Sequence, residues 1–135
     1  MEASLNELTN TREKIFDLER EILQCEQAEI VTNHYFAHGT YTREVLLPKG
    51  LVLTGKIHRH SCINIISKGK ILVVTDEGEY TIEAPHTFVS GPNVKKAGAV
   101  LEDTVWLNVH PWDGESDLEQ IENQVIIKES IEWHG

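Results

Sequence analysis
The chain has 135 residues, 40% of them apolar and 25% charged, with a formal net charge of −10. That length holds one domain with a modest core, and the composition is that of an ordinary soluble protein. No apolar run reaches the length of a membrane span and no basic-then-apolar leader follows Met1, so a cytoplasmic protein with no membrane partner is expected.

Ser4, with Glu7 three residues on, has the capping-box spacing and opens a helix that runs to about Ile30. Leu8, Ile15 and Ile22 recur every seven residues, with Leu18 and Cys25 at the intervening heptad position and Thr11 as a polar interruption. Such a narrow seam suits pairing with a second copy, which predicts a homo-oligomer, most simply a dimer. The other reading lays the helix on the outside of its own barrel.

From Val31 the pattern changes to short β-type runs. His34–His38 is stopped by Gly39, and Tyr41–Leu47 by Pro48-Lys49-Gly50. Further strands are expected at 51–58, 62–67, 70–75, 79–83, 86–90 and 104–110. Asp76-Glu77-Gly78-Glu79 reads as a hairpin loop, and Asn93 in Gly91-Pro92-Asn93 suits a left-handed turn position. Short strands at regular spacing indicate a sandwich or barrel. In Thr104–His110 one row holds Val105, Leu107 and Val109 and the other Trp106, Asn108 and His110. The apolar row is the better core candidate, which puts His110 outside. The alternative lines a pocket with Trp106, Asn108 and His110. After Pro111, Ser116-Asp117-Leu118-Glu119 opens a short helix to about Asn123, and Val125-Ile126-Ile127 is a last strand or a hook onto a neighbour.

Charge divides the chain into three segments. Residues 1–30, a helical arm, carry eight acids and three bases; residues 113–135, an acidic tail, carry seven acids and one base. Residues 31–112, the expected barrel, carry seven acids, eight bases and six of the seven histidines. An acidic periphery argues against nucleic acid as a partner. It leaves room for a small anion in a locally basic pocket. Cys25 and Cys62 lie far apart without a CxxC spacing and read as reduced thiols.

The stretch from Gly50 to Gly69 carries the densest chemistry, centred on His58-Arg59-His60. Successive side chains of an extended strand alternate, so Lys56, His58 and His60 are expected on one face. Two imidazoles so placed are a natural pair of metal ligands, with Asn64 and His110 as completions.

A glycine, a His-x-His, a further polar position and a closing glycine resemble the first motif of the cupin family, and Ala84–Lys95 resembles a degraded second motif. The resemblance covers about residues 34–110 and extends to small RmlC-like cupins of phage and prophage genomes. It implies a mainly β protein, a cupin-type jelly-roll β-barrel, flanked here by the N-terminal α-helix and the short C-terminal helix and tail. It also implies that both motifs face one pocket. The glutamate that cupins place after His-x-His is missing, and Lys95 stands where the family has its last metal histidine. The reading is therefore a binding module that captures a small anionic, nucleotide-like ligand through Lys56, His58, His60, Asn64, Lys95, Trp106 and His110. The alternative is a metal-dependent oxygenase, isomerase or lyase on His58 and His60, with a weakly held zinc, nickel, iron or manganese ion.

Overall fold
The structure, a computed structural model, describes residues 5–114 and 117–127, with side chains for 11–114 and 117–122. Helix α1 (Leu5–Gln24) precedes strands β1 (Val31–Ala37), β2 (Thr40–Leu47), β3 (Val52–Thr54) and β4 (Ile57–His58). Then come β5 (Cys62–Thr75), β6 (Gly78–Glu83), β7 (His86–Ser90) and β8 (Lys96–Pro111), and last α2 (Leu118–Val125) and β9 (Ile126–Ile127).

Seven strands form one antiparallel sheet in the order β1-β2-β8-β5-β6, with β3 paired to β8 and β7 to β5. The long strands β5 and β8 are its spine. The expected strands 62–67 and 70–75 are one strand, interrupted by register shifts against β8 between Ile66 and Ile71. Gly69 sits in that irregularity at φ 95°, and a Cβ there would lie 2.2 Å from the Asp103 carbonyl oxygen. The interruption moves the buried row from Cys62, Asn64 and Ile66 to Ile71, Val73 and Thr75, an odd shift that exchanges the two faces. Asn93 takes φ 63°, as its turn requires. The expected strand 104–110 begins earlier, at Lys96, because β3 and the second half of β5 pair with its first half.

Strand 51–58 is likewise not continuous. β3 ends at Thr54, and the two-residue β4 leaves the main sheet to pair with β9, Ile57 opposite Ile127 and His58 opposite Ile126. Of the expected Val125-Ile126-Ile127, the last two residues thus supply a last strand within the same chain, and Val125 ends α2. The core joins Leu47, Ile66, Ile71, Val73, Ile82 and Val100, with Val45, Leu53, Phe88 and Trp106 packed against it.

Helix α1 lies against β3. Ile15 and Phe16 are buried within the single chain, and each large side chain so covered contributes on the order of 1.5–3 kcal/mol. At Ile15 the apolar row faces its own barrel, with neighbouring Phe16 buried beside it, the second of the two readings of the helix. Leu8, the first member of the row, lies outside the residues with described side chains. Arg12 reaches from the helix to Asp76 and to the carbonyl of Asn93, at 3.3 and 3.0 Å.

Candidate functional site
Cross-strand register aligns four adjacent strands, of which β2, β8 and β5 form the floor of the site. Directly opposed residues share a face, so Arg43 on β2, Asn108 on β8, Asn64 on β5 and Phe88 on β7 form one row. The parallel row contains Val45, Trp106, Ile66 and His86, and Tyr41 lies opposite His110. Above this floor is a cavity of about 720 Å³, walled by the end of α1 (Glu19, Ile22) and by α2 (Ile121, Glu122).

Asn64, completely buried, knits the floor together. Its Oδ1 accepts from Asn108 Nδ2 at 2.6 Å and from Trp106 Nε1 at 3.1 Å. Its Nδ2 donates to Ser90 Oγ at 2.9 Å and to the Cys62 carbonyl at 3.1 Å. Both lone pairs of the oxygen are engaged, so Asn64 orients its neighbours instead of completing a metal site. Asn108 also donates to Cys62 Sγ at 3.5 Å, and that sulfur is 3.9 Å from His110 Nδ1.

The imidazole that meets His58 is that of His110. Their ring centroids are 5.0 Å apart, edge to face, and Tyr41 stacks on His110 at 6.0 Å. His34 Nδ1 in turn lies 2.7 Å from the Tyr41 hydroxyl. Burial lowers the pKa of His58 to about 4, assisted by His110, Lys96, Arg43 and Lys56, and burial with Arg43 lowers that of His110 to about 4. Both rings are neutral near pH 7, each able to donate and accept a hydrogen bond.

The expected residues are therefore only partly brought together. His58, Asn64, Trp106 and His110 line the cavity. His110 is 7% exposed, so the polar row of β8 faces inward and the preference for its apolar row is reversed. His60 is exposed in a bend beyond β4 and is not part of the lining, because the strand ends at His58 before alternation can carry the second histidine to the same face. Lys56 lines the cavity but is ion-paired with Glu122 of α2. Lys95 is absent from the lining: its ammonium is fully buried against Glu19 of α1, over the Phe16 ring, and donates to the Gly55 carbonyl at 2.8 Å.

Two cations take the places expected of Lys56 and Lys95. Lys96, one residue on, lines the cavity with Nζ 5.7 Å from the centroids of both Phe88 and Trp106. Arg43, which strand spacing alone did not single out, lies on the inward row Tyr41-Arg43-Val45-Leu47. The alternation of that strand was the available signal. Among the described residues no group of three His, Cys, Asp or Glu side chains is placed to hold a metal ion. With His60 outside the cavity lining and the Asn64 oxygen engaged, these residues do not fit the metal centre that the cupin resemblance implies.

The sequence matches no protein-family model and no curated protein. The fold does have relatives among solved structures. A cupin superfamily protein from Desulfitobacterium hafniense superposes with a TM-score of 0.54 at 9% identity, covering 66% of this chain and 83% of that one. KdgF from a Halomonas species gives 0.53 at 16%, covering 64% and 84%. An RmlC-like cupin from Shewanella frigidimarina gives 0.52 at 19%, covering 66% and 87%. The architecture is that of the cupin fold, as expected from the motifs at Gly50–Gly69 and Ala84–Lys95. At these identities the likeness concerns the fold, and the site must be read from its own residues.

Proposed function
We propose that this cupin-fold protein is a small-molecule-binding module that captures a small anionic ligand in the cavity roofed by α1 and α2. The observation that carries this reading is the distribution of charge around the cavity. Glu19 and Glu122 are neutralised by Lys95 and Lys56, whereas Arg43 and Lys96 make no ion pair among the described residues. Glu26, the other acid of the lining, is exposed. Arg43 is exposed as well, whereas half-buried Lys96 has lost part of its hydration, which an anion restores, and the Arg43 guanidinium suits carboxylate or phosphate oxygens.

Neutral His58 and His110 and the amide of Asn108 supply hydrogen bonds of either polarity, and Trp106 with the aliphatic wall supplies contact for a ligand body. The volume lies within the range of small-molecule sites and accommodates a nucleotide-like ligand.

A thermal-shift and calorimetric screen of nucleotides, sugar phosphates and carboxylic acids tests the reading on wild type, Arg43→Met and Lys96→Met. Losing one charge-assisted contact should weaken binding by about 1.5–3 kcal/mol, roughly ten- to a hundred-fold. Absence of any stabilising anion, or an unchanged response in both variants, rejects it.

A further inference from the structure
Three lysines cluster around the end of β3, and they differ in what they meet. Lys56 is paired with Glu122 and Lys95 with Glu19, but Lys96 makes no ion pair among the described residues and lines the cavity beside two ring faces. We infer that Lys96 is a carbonyl-capturing lysine, condensing with the aldehyde or keto group of a short oxo acid whose carboxylate is held by Arg43. The carboxylate half of this inference rests on the anion-binding reading above, and the carbonyl half does not.

A lysine becomes a nucleophile when its amine is available unprotonated, and burial in the cavity wall disfavours the ammonium even though the Phe88 and Trp106 faces attract a cation. Burial lowers the pKa of Lys96, while Cys62 and Glu77 pull the other way. Arg43 stands opposite Asn108, two residues along β8 from the Trp106 ring beneath Lys96, and both cations act on His58. The cavity therefore offers an amine and a guanidinium around one pair of imidazoles. That arrangement matches a carbonyl and a carboxylate carried on one small molecule.

The step balances without an oxidant or reductant. The amine lone pair of Lys96 adds to the carbonyl carbon, and the C–O π pair moves to oxygen. A proton passes from nitrogen to that oxygen, with neutral His58 or His110 able to relay it. A proton from solvent then reaches the hydroxyl, water leaves as the nitrogen lone pair closes the C=N bond, and the iminium nitrogen returns a proton to solvent. The imine and one water molecule are the products, and hydrolysis reverses the step.

Intact-mass measurement and peptide mapping test the inference on the full chain treated with sodium cyanoborohydride and either pyruvate or uncharged propanal, with propanoate as an acid that has no carbonyl to capture. Pyruvate should give a reduced adduct on Lys96 several-fold faster than on any other lysine, because burial leaves more of its amine unprotonated. Lys96→Arg, which keeps the charge, should lose that adduct while its circular dichroism stays that of wild type. No adduct at Lys96 from either carbonyl compound, or labelling no faster than on the other lysines, overturns the inference. If propanoate raises the Tm through Arg43 and neither carbonyl labels Lys96, capture fails and the anion reading stands. If propanal labels Lys96 as fast as pyruvate and propanoate does not bind, capture by the lysine stands and the anion reading fails.

Discussion

The ammonium of Lys95 and the carboxylate of Glu19 form an ion pair whose side chains are 0% and 2% exposed, joining α1 to the chain just ahead of β8. Two charges removed from water attract each other strongly but lose their hydration, so the pair as a whole adds little net stability. Breaking it leaves one charge buried alone. Glu19→Gln or Lys95→Met should each destabilise the fold by about 3–5 kcal/mol, and the double variant Glu19→Leu/Lys95→Met should recover a large part of that. Urea unfolding of the four proteins checks it. Single variants as stable as wild type would mean that the pair contributes nothing to docking the helix.

Acid should weaken the fold through the two cavity histidines. Their folded-state pKa values of about 4 lie below the ordinary 6.5, so between these values the unfolded chain binds more protons than the folded one. Stability therefore rises with pH across that window and is lost as pH falls from about 6.5 toward 4. The two rings together should account for about 2–4 kcal/mol of that loss, less than the full shifts imply because water reaches part of each. Urea midpoints at several pH values, for wild type and for His58→Gln/His110→Gln, isolate their share from that of the carboxylates. Parallel pH profiles for the two proteins contradict the assignment.

Gly69→Ala should be among the most damaging conservative substitutions. The new Cβ would meet the backbone oxygen of Asp103 at 2.2 Å and Thr104 Oγ1 at 2.5 Å, at a φ that side chains rarely adopt. The β8 backbone cannot withdraw without losing its pairing to β5, so a cost of at least about 2–3 kcal/mol is expected. A thermal melt within one degree of wild type would show that the bulge yields easily.

Assembly as a homo-oligomer, most simply a dimer, remains our expectation, and light scattering of the intact chain over a concentration series measures it directly. A monomer mass at every concentration removes it. Deleting residues 1–30 is a poor probe of the interface, because Ile15, Phe16 and Glu19 are buried on their own barrel. We expect that deletion to unfold the protein, read as lost cooperativity in the melt.

The sequence by itself determined what depends on near neighbours along the chain. The glycine-bounded histidine motif carried the resemblance to the cupin fold, while the Ser4 cap lies outside the described residues. The turn residues punctuated the strands, and Asn93 took its left-handed turn. These are short-range consequences of sterics and hydrogen bonding, so they survive whatever the rest of the chain does.

Only the tertiary structure decided which charged side chains meet. Strand parity carries a side chain to a given face only while the strand continues. β3 stops at Thr54 and β4 stops at His58, so the alternation counted from Lys56 to His60 had no strand to run along. Lys95 and Lys96 are adjacent and chemically identical in sequence. One is drawn under α1 by Glu19, 76 residues earlier, and the other lies over Phe88 and Trp106 in the cavity. His110 turned inward because β8 is held between β2 and β5, which bring Tyr41 and Cys62 beside it. A buried charge takes the partner that the packed chain presents, and that partner is fixed by long-range register that no local pattern encodes.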